Sequence, residues 1–170
     1  MKLLSTFVML CALTLNIAAV QASVIEGAAD IRNLKQLPNQ VYTGGQPDKA
    51  ELEALAKSGV KTIINFRGQG EFSDFDEAAV VEQLGMNYVH IPIDSKDALS
   101  QENVARFHAA LNEHQDGVFL HCGSGNRVGA MFALDAFWNN DKSKEEAIVI
   151  GLESGMTSLR GHVESLLDVQ

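Results

Sequence analysis

Val118-Phe119-Leu120-His121-Cys122-Gly123-Ser124-Gly125-Asn126-Arg127-Val128-Gly129 begins as an apolar, strand-like run and turns at two glycines into a helical pattern. The reading is a buried strand, a tight loop and a helix start, with Cys122 at the strand end and Arg127 at the helix start. Such a loop makes an anion pocket. Successive backbone N–H groups from Gly123 through Ser124, Gly125 and Asn126 converge on one point, the positive end of the helix faces the same point, and Arg127 adds a two-pronged contact. Cys122 is expected at the mouth of this pocket, where the field that holds an oxyanion also favours a thiolate. The stretch therefore offers a nucleophile inside an oxyanion cradle.

The chain has 170 residues, 46% apolar and 21% charged, enough for one globular domain. Its first part differs from the rest. Lys2 precedes an apolar run from Leu3 to Val20, followed by Gln21-Ala22 and Ser23. This is the order of a secretory signal peptide over residues 1–22, and it implies a periplasmic or secreted protein. A single membrane anchor is the alternative, but no basic stop-transfer flank follows the run. Cys11 follows Leu10, where a lipoprotein signal would place a small residue.

Residues 1–22 hold one cation, Lys2, and no anion, so their removal takes the net charge from −9 to −10. A chain so acidic has no general attraction for nucleic acid or anionic lipid, and an anionic ligand must be held by local cations and dipoles. Cys122 then remains as the single cysteine, which excludes a disulfide framework and leaves a thiol that is either inert or reactive. A zinc site on His121 and Cys122 would need further ligands, and no second cysteine supplies one. No cofactor is implied.

Residues 23–37 carry a weak signal, compatible with a short helix or irregular edge structure. Val41-Tyr42 is a short strand leading into Thr43-Gly44-Gly45-Gln46-Pro47. A helix starts at Pro47 or Asp48 and ends at Gly59. Val60 to Phe66 has the β-branched character of a strand buried on both faces of a parallel sheet, and Arg67 follows it directly. Glu71, Asp74, Asp76 and Glu77 are expected in a solvated loop and the helix start after it. Met86 to Ile91 is the next strand, stopped by Pro92, and residues 93–99 form a polar loop. Ser100 caps a helix on which His108 and His114 read as structural histidines. The helix after Cys122 is apolar nearly all round, hence central, with Asp135 needing a local partner. Ser143 and Glu146 form a capping box, and a final helix surrounds Leu159, Val163 and Leu166. Alternating strands and helices predict one α/β domain over residues 23–170, with a mostly parallel central sheet and helices on both faces.

The His-Cys pair, glycine loop and Arg resemble the phosphate-binding loop of the cysteine-dependent protein phosphatases. Four residues separate Cys122 from Arg127, where five are usual in that group, and Val128 stands where a hydroxyl residue commonly follows the Arg. A four-residue spacing also occurs in rhodanese-like sulfurtransferases and in the bacterial phosphatase-like family related to the domain of beta-lactamase hydrolase-like proteins. The opening Tyr42-Thr43-Gly44-Gly45-Gln46-Pro47, followed by Lys61-Thr62-Ile63-Ile64-Asn65-Phe66-Arg67, is similar to the start of this last family, and the likeness runs from about Val41 to Leu167.

The resemblance implies a phosphatase fold and hydrolysis of phosphate monoesters through Cys122, with Arg127 and the 123–126 amides on the oxygens. In an open parallel sheet the functional loops gather at the carboxyl ends of strands, which brings Arg67 and the 93–99 loop to the same edge. Arg67 is a candidate second cation, equally readable as a loop arginine. Asp94, ahead of Asp97, is the candidate general acid. His121 is expected to order the loop by hydrogen bonding. Two other functions stay open: sulfur transfer through a Cys122 persulfide, and noncatalytic oxyanion binding.

Overall fold

Thr62-Ile63-Ile64-Asn65 and Val118-Phe119-Leu120-His121 are adjacent central strands, and their successive side chains enter opposite halves of the core. The computed structural model describes residues 25–71 and 73–169. The elements are β1 (Lys35–Leu37), β2 (Val41–Gly44), α1 (Lys49–Lys57), β3 (Thr62–Asn65), α2 (Glu77–Gln83), β4 (Asn87–His90), α3 (Gln101–Glu113), β5 (Val118–His121), α4 (Asn126–Trp138), α5 (Lys144–Glu153) and α6 (Arg160–Leu167). The strand order is β1-β2-β5-β3-β4. Neighbours from β2 to β4 run parallel, and β1 is an antiparallel edge.

Ile64, Val118 and Leu120 pack with Val104 and Phe107 of α3, Met131 and Leu134 of α4, and Val163 of α6. Ile63 and Phe119 face the other way, onto Leu52 and Leu55 of α1 and Val81 of α2. Helices therefore cover both faces, as the apolar strands required. Each fully buried side chain of this size contributes roughly 1.5–3 kcal/mol relative to exposure, so the larger α3–α6 half of the core supplies more of the sheet's hold than the α1–α2 half.

Local chemistry sets the boundaries. Asp48 and Ser143 close capping boxes with Glu51 and Glu146, Ser100 accepts from the Asn103 amide, and Asp76 accepts from that of Ala79. Two strands are shorter than expected. Val60 and Met86 donate back to Leu55 and Val81, which closes the preceding helices and keeps both residues out of the ladder. Residues 25–34 form consecutive turns, not a helix, and the chain then enters β1. The expected signal peptide, residues 1–22, and Cys11 lie outside the described residues.

One row of the register positions everything that follows. Gly44 pairs with His121, His121 with Asn65, and Asn65 with His90, so the last residues of β2, β5, β3 and β4 form a line across the carboxyl edge of the sheet.

Candidate active site

Leaving β5, His121 and Cys122 point to opposite sides of the sheet because side chains alternate along a strand. Cys122 packs with the α3–α6 half of the core and is 1% exposed, so it lies on the floor of the site and not at its mouth. Gly125 stands at the N-cap of α4 with φ of 84°, a conformation a side chain would strain. No side chain caps this helix start, which leaves the first-turn amides to another acceptor. Asn126 is turned away from the cradle. Its Oδ1 accepts from the Thr157 and Leu159 amides at 2.8 and 3.3 Å, and its Nδ2 donates to Ser158 Oγ. The Asn126 side chain thus anchors the 157–159 segment beside the loop, and the anion contact expected of this residue falls to its backbone amide. Gly123 and Ser124 are partly exposed, and Ser124 bridges to Gly45.

Arg127 leaves the first turn of α4 and spans three segments. Nη1 donates to the carbonyls of Ile93 (2.9 Å) and Phe66 (3.4 Å) and to Glu71 Oε2 (2.7 Å), while Nη2 donates to Glu71 Oε1 (2.5 Å). The pairing with Glu71 is a fork on a carboxylate, which fixes the plane of the guanidinium. Glu71 is held well below the ordinary carboxylate range, at about 2, by the Arg127 hydrogen bond first of all, against the opposing effect of burial. Arg127 is raised in turn, by Glu71 foremost and by the nearby Cys122 side chain.

Arg67 comes to the same edge. It reaches Glu71 O at 2.5 Å, Glu71 Oε1 at 3.4 Å and Gln46 Oε1 at 3.1 Å, so this cation meets the site through Glu71.

Asp94 and Asp97 part company. Asp94 lines a cleft of about 290 Å³ together with Arg127, Asn126, Lys96 and Leu159, and Gly68 lies against its Cβ. Asp97 lines a different depression, beside Trp138 and His162. Asp94 thus shares a cavity with Arg127, and the depression lined by Asp97 lies elsewhere.

Of the acids expected in a solvated loop and helix start, Asp74 and Asp76 are exposed and Asp76 caps α2, but Glu77 is 5% exposed and Glu71, though exposed, is the partner of Arg127. Glu77 Oε2 accepts from Asn65 Nδ2 (2.8 Å) and Tyr88 OH (3.4 Å), and Oε1 accepts from Gln46 Nε2 (2.9 Å). His121 Nε2 lies 3.1 Å from Oε1. Burial pushes the Glu77 carboxyl up, but His121, Gln46 and Tyr88 outweigh it and its pKa is lowered. Tyr88 is pushed up to about 12 by burial and by this carboxylate. The polar neighbour of His121 among the described residues is thus an acid on α2, and no hydrogen bond from its ring to the loop backbone is present there. Asn65, at the end of a wholly buried strand, was a visible signal of this network. Glu71 had none, since its partner is 56 residues away.

Elsewhere, His108 Nδ1 lies 2.8 Å from Asp135 Oδ1, and Asn139 and Asn140 also serve that carboxylate. Both residues are structural, as expected.

The pattern of one family, DSP-PTPase phosphatases fused to NAD+ kinase, matches residues 12–162 and so takes in both the Gly-Gly-Gln-Pro segment and the Cys122–Arg127 loop. The chain belongs to this phosphatase family. A beta-lactamase hydrolase-like protein of Agrobacterium fabrum is 31% identical over 103 residues, 58% of this chain and 24% of that one. Its counterpart in Xylella fastidiosa is 27% identical over 116 residues, 65% and 26% respectively. The chain spans about a quarter of the length of these curated relatives.

Among solved structures, a DUF442 protein of Shewanella putrefaciens superposes with a TM-score of 0.66 at 24% identity, covering 85% of this chain and 97% of that one. TpbA of P. aeruginosa gives 0.63 at 19%, covering 82% and 85%. Tk-PTP in its active form gives 0.60 at 20%, covering 80% and 96%. At these identities the three establish the fold, a tyrosine-phosphatase-like α/β domain.

Proposed function

We propose that the protein is a cysteine-dependent phosphatase that hydrolyses phosphate monoesters through a phosphocysteine. The observation that carries this reading is the juxtaposition of Cys122 with Arg127 at an uncapped helix start, in a chain of the phosphatase family. In the first step Cys122 Sγ attacks phosphorus and the P–O bond to the leaving group breaks. Asp94, on the cleft wall, supplies the proton that the leaving oxygen requires. The 123–127 amides and Arg127 hold the equatorial oxygens while charge develops. Water then attacks phosphorus, Asp94 takes its proton, and inorganic phosphate leaves as the thiolate is restored. Export to the periplasm or beyond the cell is part of this proposal and rests on the character of residues 1–22.

The noncatalytic reading draws on one observation, the carboxylate of Glu71 already seated on both terminal nitrogens of Arg127. Sulfur transfer draws on the four-residue loop. One experiment separates the three. Purified protein is assayed on an aryl phosphate and on thiosulfate with cyanide, beside Cys122→Ser, and the trapped intermediate is weighed. A gain of one phosphoryl group at Cys122 is expected. A gain of one sulfur atom would make it a sulfurtransferase, and neither gain, with phosphate still bound, would leave an anion-binding protein.

A further inference from the structure

We infer that Glu77 is a positioning residue for the nucleophile loop, acting from the face of the sheet opposite Arg127. Its effect on catalysis rests on the phosphatase reading above, whereas its effect on loop geometry does not. Four different segments converge on this one carboxylate: Gln46 after β2, Asn65 of β3, Tyr88 of β4 and His121 of β5. Two of them, Asn65 and His121, belong to the register row along the carboxyl edge. Glu77 thereby joins all four parallel strands just beneath the site.

His121 carries the effect to Cys122. It is fully buried, stacks on Phe119 with ring centroids 5.7 Å apart, and makes no linear hydrogen bond through either ring nitrogen among the described residues. The 3.1 Å approach of Nε2 to Glu77 is its one polar contact recorded there. A buried imidazole with so little else to hold it takes its position from that carboxylate. Because His121 and Cys122 are consecutive, the peptide between them cannot turn without moving both. Gln46 extends the hold in a second direction, since it donates to Glu77 and accepts from Arg67, which in turn meets Glu71 and through it Arg127. The loop is thus held from the strand residue before it, His121, by Glu77 and at Arg127 by Glu71, with Gln46 and Arg67 between the two acids.

The test compares Glu77→Gln with Asp135→Asn. Asp135 is an equally buried carboxylate with its own histidine and asparagine partners, remote from the loop on α4, and serves as the control for stability alone. Amide hydrogen exchange over residues 119–129 is expected to speed up by ~10-fold or more in Glu77→Gln beyond what the control shows at matched overall stability. Protection of Cys122 from iodoacetamide by inorganic phosphate, read at its peptide by mass, is expected to weaken by ~10-fold, and kcat on an aryl phosphate to fall by ~10-fold or more.

His121→Gln is expected to give the same losses, and combined with Glu77→Gln to add little, because the two act as one unit. If Glu77→Gln does not fold, His121→Gln carries the test. Unchanged exchange in 119–129 for the variant that folds, or losses equal to those of Asp135→Asn, would overturn the inference. Faster exchange in a protein whose wild type turns over no phosphate ester would leave the inference standing and remove the phosphatase reading instead.

Discussion

Arg127 presents its terminal nitrogens to one carboxylate and two carbonyls, and this crowding defines what substitutions there should do. Arg127→Ala is expected to abolish phosphate protection of Cys122. Arg127→Lys should restore little of it, because an ammonium cannot reproduce the fork. Protection equal to wild type in either variant would show that the amides alone hold the anion. Glu71 has a folded pKa of about 2 against an ordinary 4.5, so its contribution to stability is complete above 4.5 and is lost as pH falls toward 2. The difference in melting temperature between wild type and Glu71→Gln should therefore be largest near neutral pH and shrink through that window. A gap independent of pH would mean that the side chain matters only for packing. At Asp94 the proposal predicts dependence on the leaving group. Asp94→Asn should slow hydrolysis of phenyl phosphate by ~10²-fold or more and that of a nitrophenyl ester much less, since a good leaving group hardly needs the proton. Equal losses on both esters would assign Asp94 to binding.

Among the elements, α4 has the most to accommodate. It begins at the Cys122–Arg127 loop, fills the centre of one core half, and crosses α5 at a point where neither helix has a side chain. A Cβ on Gly129 would stand 2.0 Å from the Met156 amide nitrogen and 2.4 Å from Gly151 O, both backbone atoms that cannot rotate away. Gly129→Ala is therefore expected to destabilise the fold by ~1–3 kcal/mol, as overpacking does, despite the better helix propensity of alanine. Urea unfolding measures this. Because the shift needed would displace the start of α4, phosphate protection at Cys122 should weaken in the same variant. A neutral result would mean that α5 yields without cost.

At the scale of the whole molecule, the two halves of the core hold the site from opposite sides. The α3–α6 half contains Cys122 and carries Arg127 at its margin, while the α1–α2 half carries Glu77 and His121. The sheet between them makes the site a product of both halves, and neither contains it alone. Export belongs to this scale too. Intact mass of protein recovered from the periplasm or medium is expected to begin at Ser23 or within a residue or two of it. A full-length chain in the membrane fraction would make residues 1–22 an anchor.

The parallel sheet, the helix start at Pro47 or Asp48, the helix caps at Ser100 and Ser143, the all-round burial of α4 and the Cys122–Arg127 loop were legible in the sequence, because each depends on the pattern within one stretch. A continuous β-branched run marks a strand buried on both faces, an acceptor three residues ahead of an amide marks a cap, and a glycine-bearing turn marks the loop that starts a helix. What surrounds Cys122 was decided by the tertiary structure. The placing of Asp94 and Asp97 in different depressions, the turning of Asn126 toward residues 157–159, the burial of Cys122 and of Glu77, and the pairing of Glu71 with Arg127 and of Glu77 with His121 all depend on strand order and register. Those pairings join side chains far apart in the chain, and a carboxylate carries no local mark of the cation it will meet. Only the packing of α2 and of the turn before it over the carboxyl edge of the sheet brings them together.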